Sequence, residues 1–212
     1  MRFLTDSILI GTILISVFML STARLGMTVR SFALQSFLLA FLPSLLHEPG
    51  FHQILILVGA ILIKSYLIPR FLFRAIREVS IRRDVQPVIG FGTSLLIGAL
   101  LVALAFAVSA NLPLPVGVAS SLLLPASLST FLLGFLLIVS RAKALLQVVG
   151  YLVVENGIFL FGVSLVQQMP LLVEMGILLD VFVAVFVMGI VIFRINREFD
   201  HMDTANLTTL KD

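Results

Sequence analysis

The sequence predicts an all-α, polytopic membrane protein of about seven transmembrane helices, with its N-terminus outside and its C-terminus in the cytoplasm. Three observations carry this. The chain is 60% hydrophobic and 12% charged, with a mean hydropathy of +1.18, outside the range of an ordinary soluble domain. Apolar runs recur along it, each long enough to cross a hydrocarbon core of ~30 Å as a helix. The Lys and Arg residues follow the connections between those runs in alternation, and no stretch alternates with the period of two that a membrane barrel needs.

The spans are expected at roughly 4–23, 31–46, 52–71, 88–110, 125–140, 144–166 and 171–194. The connections after the first, third, fifth and seventh hold Arg24 and Arg30; Arg70, Arg74, Arg77, Arg82 and Arg83; Arg141 and Lys143; and Arg194, Arg197 and Lys211. The other connections, HEPGFH, NLPLPVGVASSLLLP and QQMP, hold neither Lys nor Arg, which places them outside. A signal peptide cleaved near Ser21–Ala23 is the rival reading, but it would leave Arg24 and Arg30 on the outer face, against every other loop. Pro113, Pro115 and Pro125 are read as shaping an outer loop, and Arg74 to Pro87 as a solvated cytoplasmic connection.

The net charge of +3 and pI near 9.8 follow from this topology, so nucleic acid is not an expected partner. The absence of cysteine excludes disulfides and thiolate metal sites, and three scattered histidines, with His47 and His52 flanking one loop, argue against a protein-bound metal or haem. No Gly-rich phosphate loop or Ser-His-Asp set is present, so no catalytic site and no cofactor are expected.

Three ionisable residues interrupt apolar runs far from either end: Lys64 in ILIKSYLIP, Glu155 in GYLVVENGIFLF and Asp180 in GILLDVFVAVF. Each sits near the middle of its span, Glu155 ~16 Å of rise from both ends. A charge at a helix centre costs ~2.5–3.5 kcal/mol even on the lenient insertion scale, so all three together approach ~10 kcal/mol. Facing the bundle interior and meeting one another offsets that cost, and such groups exchange protons readily. Tyr151 one turn before Glu155 and Asn156 beside it are read as supporting groups, with Gly157 adding a bare backbone; Glu174 lies nearer the outer end of its helix. The bland readings are a snorkelling Lys64, static interhelical hydrogen bonds for the acids, and an interfacial Glu174. The stretches VGAILIK ending at Lys64 and VGYLVVE ending at Glu155 are alike, but apolar filler of that length does not establish a repeat.

Four stretches, ILIKSYLIP, FLLGFLLIVSRAKALLQVVGYLVVENG, LVEMGILLDVFVAVFVM and the C-terminal NLTTLKD, resemble the membrane E component of hydrogenase-4 type formate hydrogenlyases and related membrane-bound hydrogenase complexes. Residues 120–198 are also similar to subunit K of respiratory complex I, a three-helix protein with two buried glutamates. That likeness implies that Glu155 and Asp180 take those two roles, although the second acid here is Asp and Glu155 stands about one turn further from Gly150. It divides the single membrane domain into a four-helix part (1–111), a three-helix part (120–198) and a cytoplasmic tail (199–212). The resemblance implies a non-catalytic subunit in a prokaryotic cell membrane that links a hydrogenase redox arm to antiporter-like subunits, with Lys64, Glu155 and Asp180 on a proton path. The alternative is a free-standing cation/proton antiporter-type transporter whose acids bind the ion themselves; a third is a structural spacer.

Overall fold

The computed structural model describes residues 2–46, 57–59, 61–78, 88–112 and 120–165. These residues form helices throughout and no strand: α1 (Arg2–Ser21), α2 (Leu25–Ala40), the short α3 (Leu42–Leu46), a π-helical segment (Ile61–Leu67), α4 (Ile68–Glu78), α5 (Phe91–Asn111), α6 (Leu123–Ser140) and α7 (Ala144–Leu165). Five stretches are long and apolar enough to span a bilayer: Arg2–Ser21, Leu25–Leu46, Phe91–Asn111, Leu123–Ser140 and Ala144–Val163. The third expected span is described in part, and the seventh, 171–194, lies outside the described residues.

Lipid offers apolar side chains no reason to hide, so the inward faces are chosen by size and polarity. α5 shows this most plainly. Its buried residues are Ser94, Gly98, Ala105 and Ser109, while Leu96, Leu100, Leu104 and Phe106 face outward. α6 and α7 form the tightest pair because glycines remove the side chains between them. A Cβ on Gly134 would stand 2.6 Å from the Val154 amide nitrogen, one on Gly150 2.9 Å from that of Ile138, and one on Gly157 2.6 Å from that of Phe131. α1 packs on α6, α2 and α5, and α2 packs on the π-helical segment and α7. The described helices before and after residue 112 therefore pack into one bundle.

Three sequence expectations change. α2 begins at Leu25 rather than at 31, because Leu25, Thr28 and Val29 are buried in the bundle; Arg30 lies on the exposed side of the helix instead of in a loop. The third helix does not stop at 71. Ile68, Leu72 and Ala75 reach the core and carry α4 on to Glu78, so that Arg70, Arg74 and Arg77 line its exposed face, and Arg74 to Glu78 are helix rather than connection. Pro125 lies in the first turn of α6, where its missing N–H is no loss; Pro113 and Pro115 lie outside the described residues.

One end of the bundle gathers most of the described basic residues, whereas Arg2 starts α1 at the other and Lys64 lies between. Arg141, 1% exposed, closes α6 by donating from Nη2 to the Leu20 carbonyl at the end of α1, and its guanidinium lies 4.7 Å from the centre of the Phe91 ring at the start of α5. Burial pushes its pKa below the ordinary arginine value. The Val88 amide donates to the Ser140 carbonyl at 2.9 Å, tying the entry of α5 to the same end. At the opposite end the Ser120 hydroxyl donates to Asp6 at 2.6 Å.

Candidate functional site

Five helical elements place polar side chains at one level. α1 contributes Thr12 and Ser16, α2 Gln35 and Ser36, the π-helical segment Lys64, α6 Ser129 and Thr130, and α7 Glu155 and Asn156, all of them buried. Apolar clusters lie on either side of this layer. Met19, Leu20, Leu25, Phe32, Leu133 and Leu152 belong to the one at the basic end, and Leu9, Leu39, Leu123, Ala126, Leu160 and Val163 to the one beyond.

The centre of the layer is an ion pair. Lys64 Nζ lies 3.2 Å from Glu155 Oε1, with the residues 7% and 3% exposed. Neither Glu155 oxygen accepts a directional hydrogen bond among the described residues, so the contact holds by charge rather than by alignment. The ammonium is also 5.6 Å from the centre of the Phe159 ring, one turn further along α7. The unusual backbone under Lys64 has a local cause. In an α-helix the Pro69 ring would meet the carbonyl four residues earlier and leave it without a donor. The wider π turn from Ile61 to Leu67 precedes that proline, and the chain returns to α geometry at Ile68.

Asn156 points elsewhere, because consecutive residues diverge by ~100° around a helix. Its Nδ2 donates to Ser36 Oγ at 3.2 Å and to Gln35 Oε1 at 3.4 Å. Gln35 Nε2 in turn donates to Ser16 Oγ at 2.8 Å and to the Thr12 carbonyl at 3.3 Å. Ser16 donates to the Thr12 carbonyl at 2.9 Å. An amide chain thus runs from α7 through α2 to α1, beside the ion pair. Gln35→Leu is expected to destabilise the bundle by about 1–3 kcal/mol, because Asn156 and Ser16 each lose a buried partner. The exposed Asn111→Leu should stay within ~0.5 kcal/mol. Thermal midpoints of the two variants in one mild detergent check this, and equal midpoints would contradict the network.

Of the residues singled out by sequence, the structure brings Lys64 and Glu155 together and places Asn156 in the adjoining chain. It does not bring Tyr151 to Glu155: Tyr151 is 41% exposed and Glu155 accepts nothing from it. Asp180, Glu174, His47 and His52 lie outside the described residues. Gln35, Ser36, Thr12 and Ser16 are the additions. Gln35 had a signal, an amide inside the run FALQSFLLAF, but a neutral group breaks an apolar stretch less conspicuously than a charge. Among the described residues no group of His, Cys, Asp and Glu is placed to hold a metal ion.

The chain is 32% identical over 206 residues to the uncharacterized protein Rv0085 of Mycobacterium tuberculosis, covering 95% of this chain and 93% of that protein. It is 35% identical over 153 residues to hydrogenase-4 component E of Escherichia coli K12, covering 72% of this chain and 71% of that one. The same identity and coverage hold for hydrogenase-4 component E of Shigella flexneri. No family model and no solved structure matches the chain. An apolar helical bundle that shares this identity across more than two thirds of a component E belongs to the hydrogenase-4 component E family.

Proposed function

We propose that the chain is a non-catalytic membrane subunit of a hydrogenase complex, in a prokaryotic cell membrane with its basic end in the cytoplasm, and that it couples redox chemistry in its partners to proton or ion translocation. The observation that carries the coupling role is the Lys64–Glu155 pair, 3.2 Å apart in the middle of the bundle. A static scaffold gains little from such a pair, since apolar residues of similar volume serve as well or better. Two opposite charges at that depth do supply a group that takes up and releases a proton when its partner's charge changes. Asp180 is the third member of the proposed path, and antiporter-like subunits and a redox arm are the proposed partners.

The test is made in the intact complex. Glu155→Gln keeps an acceptor for the Lys64 ammonium, and Asp180→Asn keeps the side-chain volume. Both variants should assemble in normal proportion while coupled proton movement falls roughly 10-fold or more. Unchanged gradient formation in the assembled double variant would remove the relay role. Proton-coupled cation exchange by the chain alone in liposomes would instead favour the free-standing antiporter.

A further inference from the structure

We propose that the basic pocket between α2 and α4 binds the phosphate of an anionic phospholipid headgroup. The pocket has a volume of about 730 Å³ and collects Arg30 from α2 with Arg70, Arg74 and Arg77 from α4. Among the described residues no carboxylate lines it. The three α4 arginines follow each other at helical spacing on its exposed face, while Ile68, Leu72 and Ala75 anchor the other face in the core. The guanidinium groups of Arg30, Arg70 and Arg77, held on fixed helices around one cavity, repel one another, and a shared anion relieves that repulsion. Guanidinium groups suit phosphate because their planar forks donate two parallel hydrogen bonds to it.

Arg70 is already oriented. Its Nη1 lies 3.2 Å from the Tyr66 hydroxyl, to which it donates, and its guanidinium is 5.8 Å from the centre of the Tyr66 ring. The position argues for a lipid over a soluble anion. The pocket opens at the basic end of the spans, where headgroups lie, and Phe73 forms part of its wall. Exposed Leu34 on α2 and Leu62 and Leu67 on the π-helical segment continue from it as an apolar surface for acyl chains. A headgroup phosphate with its chains meets both surfaces, whereas a free phosphate meets only the first. This proposal is independent of the proton path.

The chain carries its own probe, since it has two tyrosines and no tryptophan. Tyr151→Phe leaves Tyr66, in the pocket wall, as the sole tyrosine emitter. In liposomes of phosphatidylcholine, dibrominated phosphatidylglycerol should reach half-quenching of Tyr66 at a mole fraction about 10-fold lower than dibrominated phosphatidylcholine. With Arg70→Gln, Arg74→Gln and Arg77→Gln combined, the preference should fall to within about twofold. Arg30→Gln alone, an exposed site on another helix, should lower it roughly 3-fold and serves if the triple variant does not fold. Equal quenching by the two lipids, or a preference untouched by these substitutions, would overturn the proposal. Relief of quenching by excess inorganic phosphate would assign the pocket to a soluble anion. Relief by a soluble acidic peptide would assign it to a protein partner, and either result also overturns it.

Discussion

Gly157→Ala is expected to lower the thermal midpoint of the detergent-solubilised chain by roughly 6–12 °C. The added methyl would meet the Phe131 nitrogen at 2.6 Å, its Cα at 2.8 Å and its Cβ at 2.9 Å. Two of these are backbone atoms of α6, which no rotamer change can move, so the helices must separate along the seam that Gly134 and Gly150 also keep close. Overpacking of this kind costs about 3 kcal/mol, and in a domain of this size each kcal/mol shifts the midpoint by roughly 2–4 °C. Gly162→Ala, on the same helix with nothing among the described residues within 4 Å of the new atom, is the control. Equal midpoints for the two variants would mean that α6 and α7 do not touch at Gly157.

The second large effect belongs to the ion pair. Glu155→Leu removes the carboxylate 3.2 Å from a buried ammonium and should cost about 3–5 kcal/mol, whereas Lys64→Met combined with Glu155→Leu should recover most of that loss. The asymmetry arises because a buried ammonium that loses its carboxylate keeps the cost of leaving water with less attraction to offset it, and removing both charges removes that cost. A double-mutant cycle on thermal midpoints measures the coupling. A double variant as unstable as the two single losses added together would show that the side chains act independently.

The depth of Lys64 and Glu155 was legible because a charge in an apolar run is conspicuous and rise per residue converts position into depth. Their pairing was not, since a linear reading offers Lys64 two acids at one level and no order of helices. Gln35 escaped because a neutral amide raises no alarm of cost. Tyr151 was misplaced by spacing: it is a turn from Glu155 along the helix, yet its own side is exposed. The likeness of VGAILIK to VGYLVVE ends on the two residues that pair, but it does not extend to packing, because Gly150 lies against the Ile138 backbone while Gly59 has nothing within 4 Å.

Helix faces were the least legible feature. α5 is apolar nearly all round, so periodicity could not show that Ser94, Gly98, Ala105 and Ser109 form its inner side. Arg30, Arg74 and Arg77 were assigned to connections but lie on helices. Burial of Leu25, Val29, Leu72 and Ala75 extends the helices past the points where charge first appears, and tertiary packing overrides a boundary drawn from composition.

The two apolar clusters on either side of the polar layer act as stoppers. Leu20, Phe32, Leu133 and Leu152 block the way from the basic end, and Leu9, Leu39, Leu123 and Leu160 block it from the other. A proton chain needs water or exchangeable groups in sequence, and the side chains of these two clusters are apolar. Under the proposed coupling role, a proton would therefore reach Glu155 sideways, in the plane of the membrane, from a neighbour that lies against the layer. The two clusters would then insulate a lateral relay above and below.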